Sequence, residues 1–207
     1  KSNPDKKINL IVGFNRRFSS HIIKTKKILS DHKHPKTFIM TMNAGYIPHE
    51  HWVHDIKVGG GRIIGEACHY IDLMRYLANA KIENIHAEVL GRGQSLYTND
   101  SVSLVLSFSD GSHGTTNYLS NGSPSYPKER IEVFSGGRNL VIDNFNVLRG
   151  YGWKNFNKHR TLFQDKGQKK FIEGFISSLN TNESIIPIDE IFEVSEASIK
   201  VAEDIRN

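Results

Sequence analysis

The hydrophobic period of this chain changes from about 3.6 residues to two near residue 82, and that change restricts its possible folds. After it, β-branched and aromatic residues alternate with polar ones in six segments. We predict strands over residues 83–90, 101–109, 113–120, 129–135, 138–143 and 145–150. Asp110-Gly111 and Gly136-Gly137 are typical of the tight turns that join antiparallel strands. Residues 82–150 therefore predict a run of antiparallel strands.

The segments on either side of this region predict helices and two more strands. Apolar residues at helical spacing indicate helices over residues 20–30, from 61 to about 78, and over 166–180 and 189–206. Ser19 or Ser20 is a candidate N-cap of the first helix. Residues 8–14 and 37–43 are predicted strands. Runs of strands beside runs of helices favour an α+β domain, with a large open sheet whose helices pack on one face. The other face would then be free for a homo-oligomer contact.

Composition excludes several classes of protein. The 207 residues are 38% hydrophobic and 24% charged, which is typical of a folded globular domain. No apolar run approaches the roughly 18 residues that cross a bilayer, and the first residues lack the apolar core of a signal peptide. The single cysteine, Cys68, excludes an internal disulfide and fits a reducing compartment. We therefore expect a cytoplasmic protein with no membrane contact.

Positive charge is concentrated in the first 40 residues, which contain 10 Lys or Arg and 2 Asp or Glu. A basic segment can indicate nucleic-acid binding. However, Lys24, Lys26 and Lys27 lie on the first predicted helix between apolar residues, which favours a solvated helix face. We therefore expect no nucleic-acid partner.

Polar side chains are densest between residues 43 and 72, where four of the ten histidines fall. Histidine is the side chain best suited to proton transfer near neutral pH. His69 lies on the second predicted helix, with Glu66 and Asp72 three residues away on either side. A carboxylate near the imidazole could orient it and raise its pKa. The alternative is a core histidine that is hydrogen-bonded to a carboxylate.

Three of these histidines, His49, His51 and His54, precede that helix in a predicted loop. Their i, i+2, i+5 spacing differs from the i, i+4 spacing of the HExxH zinc motif, so we predict no metal site and keep a metal hydrolase only as an alternative. Gly59-Gly60-Gly61 could bind an anion on free amides, or could simply let the backbone approach the sheet closely. The chain contains no GxGxxG or GxxxxGK[ST] nucleotide-binding motif.

Two segments of the chain are similar to a known family. Residues 12–19 (VGFNRRFS) and 59–73 (GGGRIIGEACHYIDL) resemble the Gfo/Idh/MocA oxidoreductases, and residues 44–52 and 129–134 fit the same branch, which is linked to sugar dehydrogenases. The resemblance covers nearly the whole chain. It implies that residues 1–18 are the remnant of a last Rossmann strand and a junction. Residues 19–207 would be the C-terminal domain, with a large, mainly antiparallel sheet that supplies the substrate site and oligomer contacts.

The resemblance also implies roles for single residues. His69 matches the acid/base histidine of the family, and Asn15 and Arg16 would lie near the nicotinamide of NAD or NADP. Most of the cofactor would be bound by residues absent from this chain, so the chain alone is expected to be inactive. Gly65 stands where many members have an Asp four residues before the histidine.

The expected substrate is a sugar, a nucleotide sugar or a related polyol. The residues expected to bind it are Asn43, Tyr46, His51, Trp52, His54 and Asp72. Trp52 offers an apolar stacking face, and Asp72 would either orient a neighbouring group or have a structural role. The alternative function is a sugar-binding or scaffold protein of the same fold in which the catalytic site has decayed.

Overall fold

The computed structural model describes residues 10–91, 100–181 and 183–206. Its centre is an eight-stranded open sheet in the order β2-β3-β4-β1-β5-β6-β7-β8. The strands are β1 (Thr37–Asn43), β2 (Ile82–Val89), β3 (Val102–Phe108), β4 (His113–Leu119), β5 (Glu129–Ser135), β6 (Arg138–Asp143), β7 (Val147–Tyr151) and β8 (Lys158–Arg160). Strands β1 and β4 pair in parallel, and every other neighbouring pair is antiparallel. The predicted α+β class with a large, mainly antiparallel sheet is confirmed.

Helices cover one face of this sheet. They are α1 (Ser20–Ser30), α2 (Cys68–Ala78), α3 (Gln168–Thr181) and α4 (Ile188–Asp204), with a π-helical segment at Ile63–Ala67 that continues into α2 and short 3-10 helices at Asn15–Phe18 and Trp52–His54. Helix α2 packs against α1, α4 and β4, and α4 packs against β2. In β1, Phe38, Met40 and Met42 are at most 1% exposed, whereas Ile39 between them is 38% exposed. The face opposite the helices is therefore open.

Several local predictions are confirmed. Ser19 caps α1, because its hydroxyl oxygen accepts the His21 amide at 3.2 Å. Gly111 and Gly137 have positive φ angles, 81° and 74°, in the two predicted hairpin turns. Cys68 is buried in the core, and burial raises the pKa of its thiol to about 12. Among the helices of the described residues, none has the length and apolar character needed to cross a membrane.

Two strand predictions need correction. Residues 10–14 form no strand, because no strand of the described sheet pairs with them; residues 8 and 9 of that prediction lie outside the described residues. The strand predicted over 145–150 begins at Val147 instead, since Asn144 and Phe145 have φ angles of 48° and 52° and form the turn after β6. The sequence also gives no signal for β8, whose residues Lys158–Arg160 show no apolar alternation.

The strand order places the ends of the central strands β4, β1 and β5 side by side. Met42, near the end of β1, is paired with Tyr118 of β4 on one side and with Glu129 of β5 on the other. Directly opposed residues point to the same face of a sheet, so these three side chains all project toward the helices. Tyr70, in the first turn of α2, reaches this end of the strands and places its hydroxyl 2.9 Å from the Met42 sulfur.

Candidate functional site

Glu129 is the centre of a buried polar cluster at this end of the central strands. Its side chain is fully buried, at 0% exposure. Arg16 donates to Oε1 through Nε at 3.1 Å and through Nη2 at 3.0 Å. The Tyr70 hydroxyl donates to the same oxygen at 2.6 Å, and Lys166 Nζ lies 2.6 Å from Oε2. One carboxylate therefore holds together the 3-10 helix before α1, the start of α2 and the segment before α3.

The charge of this cluster follows from its contacts. Burial opposes ionisation of Glu129, but the Arg16 charge and the hydrogen bonds from Lys166 and Tyr70 outweigh it, so the pKa of the carboxyl lies below its ordinary value. Glu129 is therefore ionised at neutral pH. With Arg16 and Lys166 both protonated, the cluster carries a net positive charge.

His69 lies at the start of α2, beside this cluster. Its half-buried ring meets Phe14 edge-to-face, with ring centroids 6.1 Å apart. Its Nδ1 is buried and, among the residues that the structure describes, has no hydrogen-bond partner. Burial and the positive charge of Arg16 lower the pKa of His69 to about 3, although Glu129 acts in the opposite direction. The imidazole is therefore neutral at physiological pH and can accept a hydrogen bond.

The hypothesis that a neighbouring carboxylate orients His69 and raises its pKa is wrong for Glu66, and the pKa is lowered instead. Glu66 accepts the hydroxyl of Tyr118 at 2.8 Å, and its other oxygen lies 3.4 Å from Arg62 Nε. The reason is the π-helical segment at Ile63–Ala67. Its backbone hydrogen bonds span five residues instead of four, so Glu66 within it and His69 after it do not share a face at ordinary helical spacing.

Asp72 is also engaged elsewhere. It is fully buried and forms a bidentate contact with Arg17, with Nε 3.1 Å from Oδ2. Arg17 in turn donates to Glu190 of α4 at 2.8 Å. The carboxylate is turned toward the interior, and the expectation that Asp72 binds substrate stays a prediction. Its geometry fits the structural role, which was the second of its two expected roles.

The two residues predicted to lie near the cofactor, Asn15 and Arg16, point inward. Asn15 Nδ2 donates to the carbonyl oxygen of Lys166 at 2.7 Å. Arg16 is 9% exposed, is bonded to Glu129 and lies over the Tyr70 ring, 5.3 Å from its centroid. Both side chains thus help to build the environment of His69, and their contact with a cofactor stays a prediction.

The loop between β1 and the π-helical segment carries two exposed aromatic residues. Tyr46 and Trp52 are 73% and 61% exposed, and the ring of His51 lies 5.6 Å from that of Trp52. His51 also accepts the Val53 amide on Nδ1 at 3.3 Å, which orients its ring. The loop therefore presents aromatic faces that a sugar ring could stack on.

Asn43 and His54 are held by backbone carbonyl groups. Asn43 Nδ2 donates to Ser123 at 2.7 Å and to Tyr126 at 3.3 Å, so it fixes the loop after β4. His54 Nε2 lies 3.3 Å from the Ile47 carbonyl oxygen. His54 also lines a cleft of about 280 Å³ between this loop and α4, which is a different position from that of His69.

The metal alternative gains no support. Within residues 10–91, 100–181 and 183–206, no three His, Cys, Asp or Glu side chains are grouped so that they could hold a metal ion. The glycine triplet allows a close backbone approach, but to the 3-10 helix at Trp52–His54 and not to the sheet as predicted. A Cβ on Gly59 would lie 2.7 Å from the Trp52 carbonyl oxygen, so the backbone passes there only because no side chain is present.

The sequence analysis missed Glu129, Tyr70 and Lys166. A signal for Glu129 was present, because it shares its strand face with Ile131 and Val133 and a carboxylate in a buried position needs a cation. Lys166 gives no such signal, since only the tertiary fold brings it close to Glu129.

Comparisons with known proteins agree with this architecture. Residues 32–136 match the family model described as the GFO/IDH/MocA C-terminal domain. The chain is 26% identical over 142 residues to a myo-inositol 2-dehydrogenase of Thermotoga maritima. This alignment covers 65% of this chain and 41% of that protein. The chain thus spans about two fifths of the length of this curated relative.

Two solved structures illustrate the likeness in fold. A levoglucosan dehydrogenase in complex with NADH and levoglucosan superposes with a TM-score of 0.76 at 18% identity, over 97% of this chain and 66% of that one. A UDP-N-acetylglucosamine 3-dehydrogenase of Acidithiobacillus ferrooxidans gives a TM-score of 0.65 at 16% identity, over 96% of this chain and 60% of that one. Both match nearly all of this chain and contain further residues besides.

Proposed function

Because the chain belongs to the Gfo/Idh/MocA family of oxidoreductases, we propose that it is the substrate domain of an NAD(P)-dependent dehydrogenase that oxidises a hydroxyl group of a sugar, a nucleotide sugar or a related polyol. The relatives named above act on myo-inositol, levoglucosan or UDP-N-acetylglucosamine, all of which carry several hydroxyl groups. The observation that carries the proposal is the environment of His69.

Because the pKa of His69 is about 3 without ligands, it can hold a substrate proton only once bound substrate and cofactor raise that pKa, and its first role is that of a hydrogen-bond acceptor. It is neutral at physiological pH, and its Nδ1 is buried without a partner in the described part of the chain. In the proposal, the imidazole accepts a hydrogen bond from the substrate hydroxyl and takes its proton as the carbon is oxidised. The nicotinamide, when bound, takes the hydride. Arg16 and Lys166 keep His69 uncharged before substrate arrives.

The remaining residues would bind and position the substrate. Trp52, Tyr46 and His51 present the stacking surface, while Asn43 keeps the loop after β4 in place and His54 holds its own loop through Ile47. The open sheet face would form the homo-oligomer contact.

The described residues fit a dinucleotide poorly. The side chains of Asn15 and Arg16 are engaged with Lys166 and Glu129, and the sequence contains no glycine-rich phosphate-binding motif. We therefore propose that the cofactor is held mainly by residues outside this chain. In that case the chain alone binds substrate but does not turn it over.

Two titrations test the proposal. The chain contains two tryptophans, so Trp153→Phe leaves Trp52, in the proposed sugar surface, as the single tryptophan. We expect myo-inositol or levoglucosan to change the fluorescence of this variant saturably, and we expect calorimetry to detect no tight binding of NAD⁺ or NADP⁺. Tight dinucleotide binding would contradict the assignment of the cofactor site. Absence of any sugar or polyol response would contradict the substrate-domain proposal.

Gly65 supports the second candidate, a sugar-binding or scaffold protein with a decayed site, because the family resemblance places an Asp at that position. A dehydrogenase assay on the protein with all residues encoded upstream separates the two. Turnover of a polyol that this chain binds favours the enzyme. Binding without turnover favours the decayed alternative.

A further inference from the structure

A second cleft lies at the other end of the sheet from the His69 cluster. Its volume is about 270 Å³. Glu129 begins β5, whereas the cleft lies by the turn that follows Ser135 at the end of that strand, where Arg138 begins β6. Side chains of α1, β6 and the segment after β7 line it: Lys24, Ile28, Asp31, His32, Arg138, Trp153, Lys154, Asn155 and Phe156.

Positive charge dominates this cleft. Lys24, Arg138 and Lys154 face it, against the single carboxylate of Asp31. Over the three described ranges, no carboxylate oxygen lies within 4.0 Å of any of these three cations, whereas the buried Arg16 and Arg17 are paired. The cleft thus holds unneutralised positive charge at a site that the proposed dehydrogenase function does not use.

Aromatic rings hold two of these cations in place. The Arg138 guanidinium lies over the Trp153 ring, 5.3 Å from its centroid, and Lys24 Nζ lies 5.7 Å from the centroid of Phe156. Trp153 is itself fixed, since its Nε1 donates to the Asn139 carbonyl oxygen at 2.9 Å. A ring face attracts a cation but does not cancel its charge, so the cations remain available to an anion.

His32 gives Arg138 a second support. Its ring meets Trp153 edge-on at a centroid distance of 4.7 Å, and Arg138 Nη1 contacts its nitrogens. Burial and the charge of Arg138 lower the pKa of His32, so the ring is neutral at pH 7 and can accept a hydrogen bond from the guanidinium. Arg138 is therefore oriented before any ligand binds, which reduces the entropy lost on binding.

We propose that this cleft binds a phosphate group, either as free orthophosphate or as the phosphate of a small monoester. The planar fork of Arg138 matches two phosphate oxygens, and Lys24 and Lys154 add point charges. Three cations and one carboxylate leave a net charge of +2, which complements a phosphate dianion. The apolar surfaces of Ile28 and Phe156 would lie against the organic part of an ester.

Fluorescence of Trp153 provides the test. In a Trp52→Phe background, Trp153 is the single tryptophan. Orthophosphate and glucose 6-phosphate are titrated at constant ionic strength, with chloride as the control anion. We expect a saturable change with phosphate, and a loss of affinity of about tenfold on Arg138→Gln, which removes the fork. Lys24→Gln should weaken binding by about threefold.

The control is Lys27→Gln, an exposed residue on the same helix that does not line the cleft, which should leave the dissociation constant unchanged. Arg138→Lys keeps the charge but not the fork, so it should also weaken binding, with circular dichroism confirming that the variant is folded. A tighter constant for the ester than for orthophosphate identifies a monoester site, and equal constants identify a free-phosphate site.

Two outcomes would overturn the proposal. The first is a fluorescence response to phosphate that does not saturate or that chloride reproduces. The second is an equal loss of affinity in Lys27→Gln and Lys24→Gln, which would mean diffuse attraction to a basic surface. Neither titration reports on His69 or on sugar binding at position 52, so failure here leaves the proposed dehydrogenase function untouched.

Discussion

His69 is a histidine that the fold keeps uncharged, and this property makes stability depend on pH. Its pKa falls from an ordinary value of 6.5 to about 3 because of burial and the Arg16 charge. Between these values the unfolded chain binds a proton that the folded chain does not. The free energy of unfolding should therefore rise with pH across this window and fall as the solution is acidified, by at most about 1.4 kcal/mol per pH unit from this group.

The variant His69→Gln tests this linkage. Urea denaturation between about pH 4 and pH 6 should give a flatter dependence of the unfolding free energy on pH than in the original protein, because the variant lacks the titrating group. His113→Gln, on the exposed side of β4, is the matched control and should keep the original slope. Equal slopes for His69→Gln and the original protein would show that the folded state does not suppress protonation of His69.

Glu129 gives a second prediction. Substitution by Gln keeps the shape of the side chain but leaves Arg16 and Lys166 as buried charges without a counter-ion, which should cost about 3–5 kcal/mol of unfolding free energy. The control is Glu132→Gln on the same strand. Glu132 faces the open side and pairs with Arg130, whose side chain is 49% exposed, so its loss should cost at most about 1 kcal/mol.

Denaturation of the two variants at pH 7 provides the measurement. Similar losses would contradict the central role of Glu129. The expected difference depends on which face of β5 each carboxylate occupies, a property that alternation along the strand predicts directly. The cations that neutralise Glu129 come from positions 113 residues before it and 37 residues after it (129 − 16 and 166 − 129), so spacing in the sequence does not reveal them.

At the level of the elements, Gly167 connects the site to α3. Its φ angle is 82°, and a Cβ there would lie 2.3 Å from the Asn15 carbonyl oxygen and 2.5 Å from the Ser19 amide nitrogen. These are backbone atoms of the 3-10 helix and of the α1 cap, so no flexible side chain can move aside. The chain passes here only because residue 167 lacks a side chain.

Gly167→Ala should therefore be far more destabilising than an alanine at a comparable turn. Gly137 has a φ angle of 74°, and a Cβ added there would meet nothing within 4 Å, so Gly137→Ala should cost only the strain of a left-handed backbone, about 1–2 kcal/mol. Gly167→Ala adds a clash of about 1–3 kcal/mol or more. Thermal or urea unfolding of both variants measures the difference, and equal costs would mean that the 3-10 helix shifts freely.

The elements that could be predicted are those whose buried apolar residues recur at a regular spacing in the sequence. Alternation identified most strands of the sheet, although not β8, and the stripe that includes Ile191, Val194 and Val201 identified α4. The π-helical segment was not predictable, because its apolar residues fit an ordinary helix equally well. Residues 10–14 have the composition of a strand, yet an isolated strand has no backbone partner and the described sheet provides none.

For the whole molecule, the open sheet face is a broad surface that carries exposed apolar residues. Ile39, Val105 and Phe134 on this face are 38%, 47% and 37% exposed. Ile39 and Val105 are both aligned with Thr115 of β4, so they lie across the sheet in one row. Exposed apolar residues distributed over a broad sheet are typical of a surface that pairs with a second copy.

The final prediction concerns this surface. The variant Ile39→Lys would put a charge into this row that a sheet-to-sheet dimer must desolvate. Glu132 of β5 is aligned with Ile39 but already pairs with Arg130, so the dissociation constant should rise by about tenfold or more. Sedimentation velocity over a concentration series measures it. Ile172→Lys, on α3 where the original side chain is 54% exposed, adds the same charge to the helical side and should leave the association unchanged. If Ile172→Lys dissociates the oligomer and Ile39→Lys does not, the contact lies on the helices, and the open sheet face must be assigned another role.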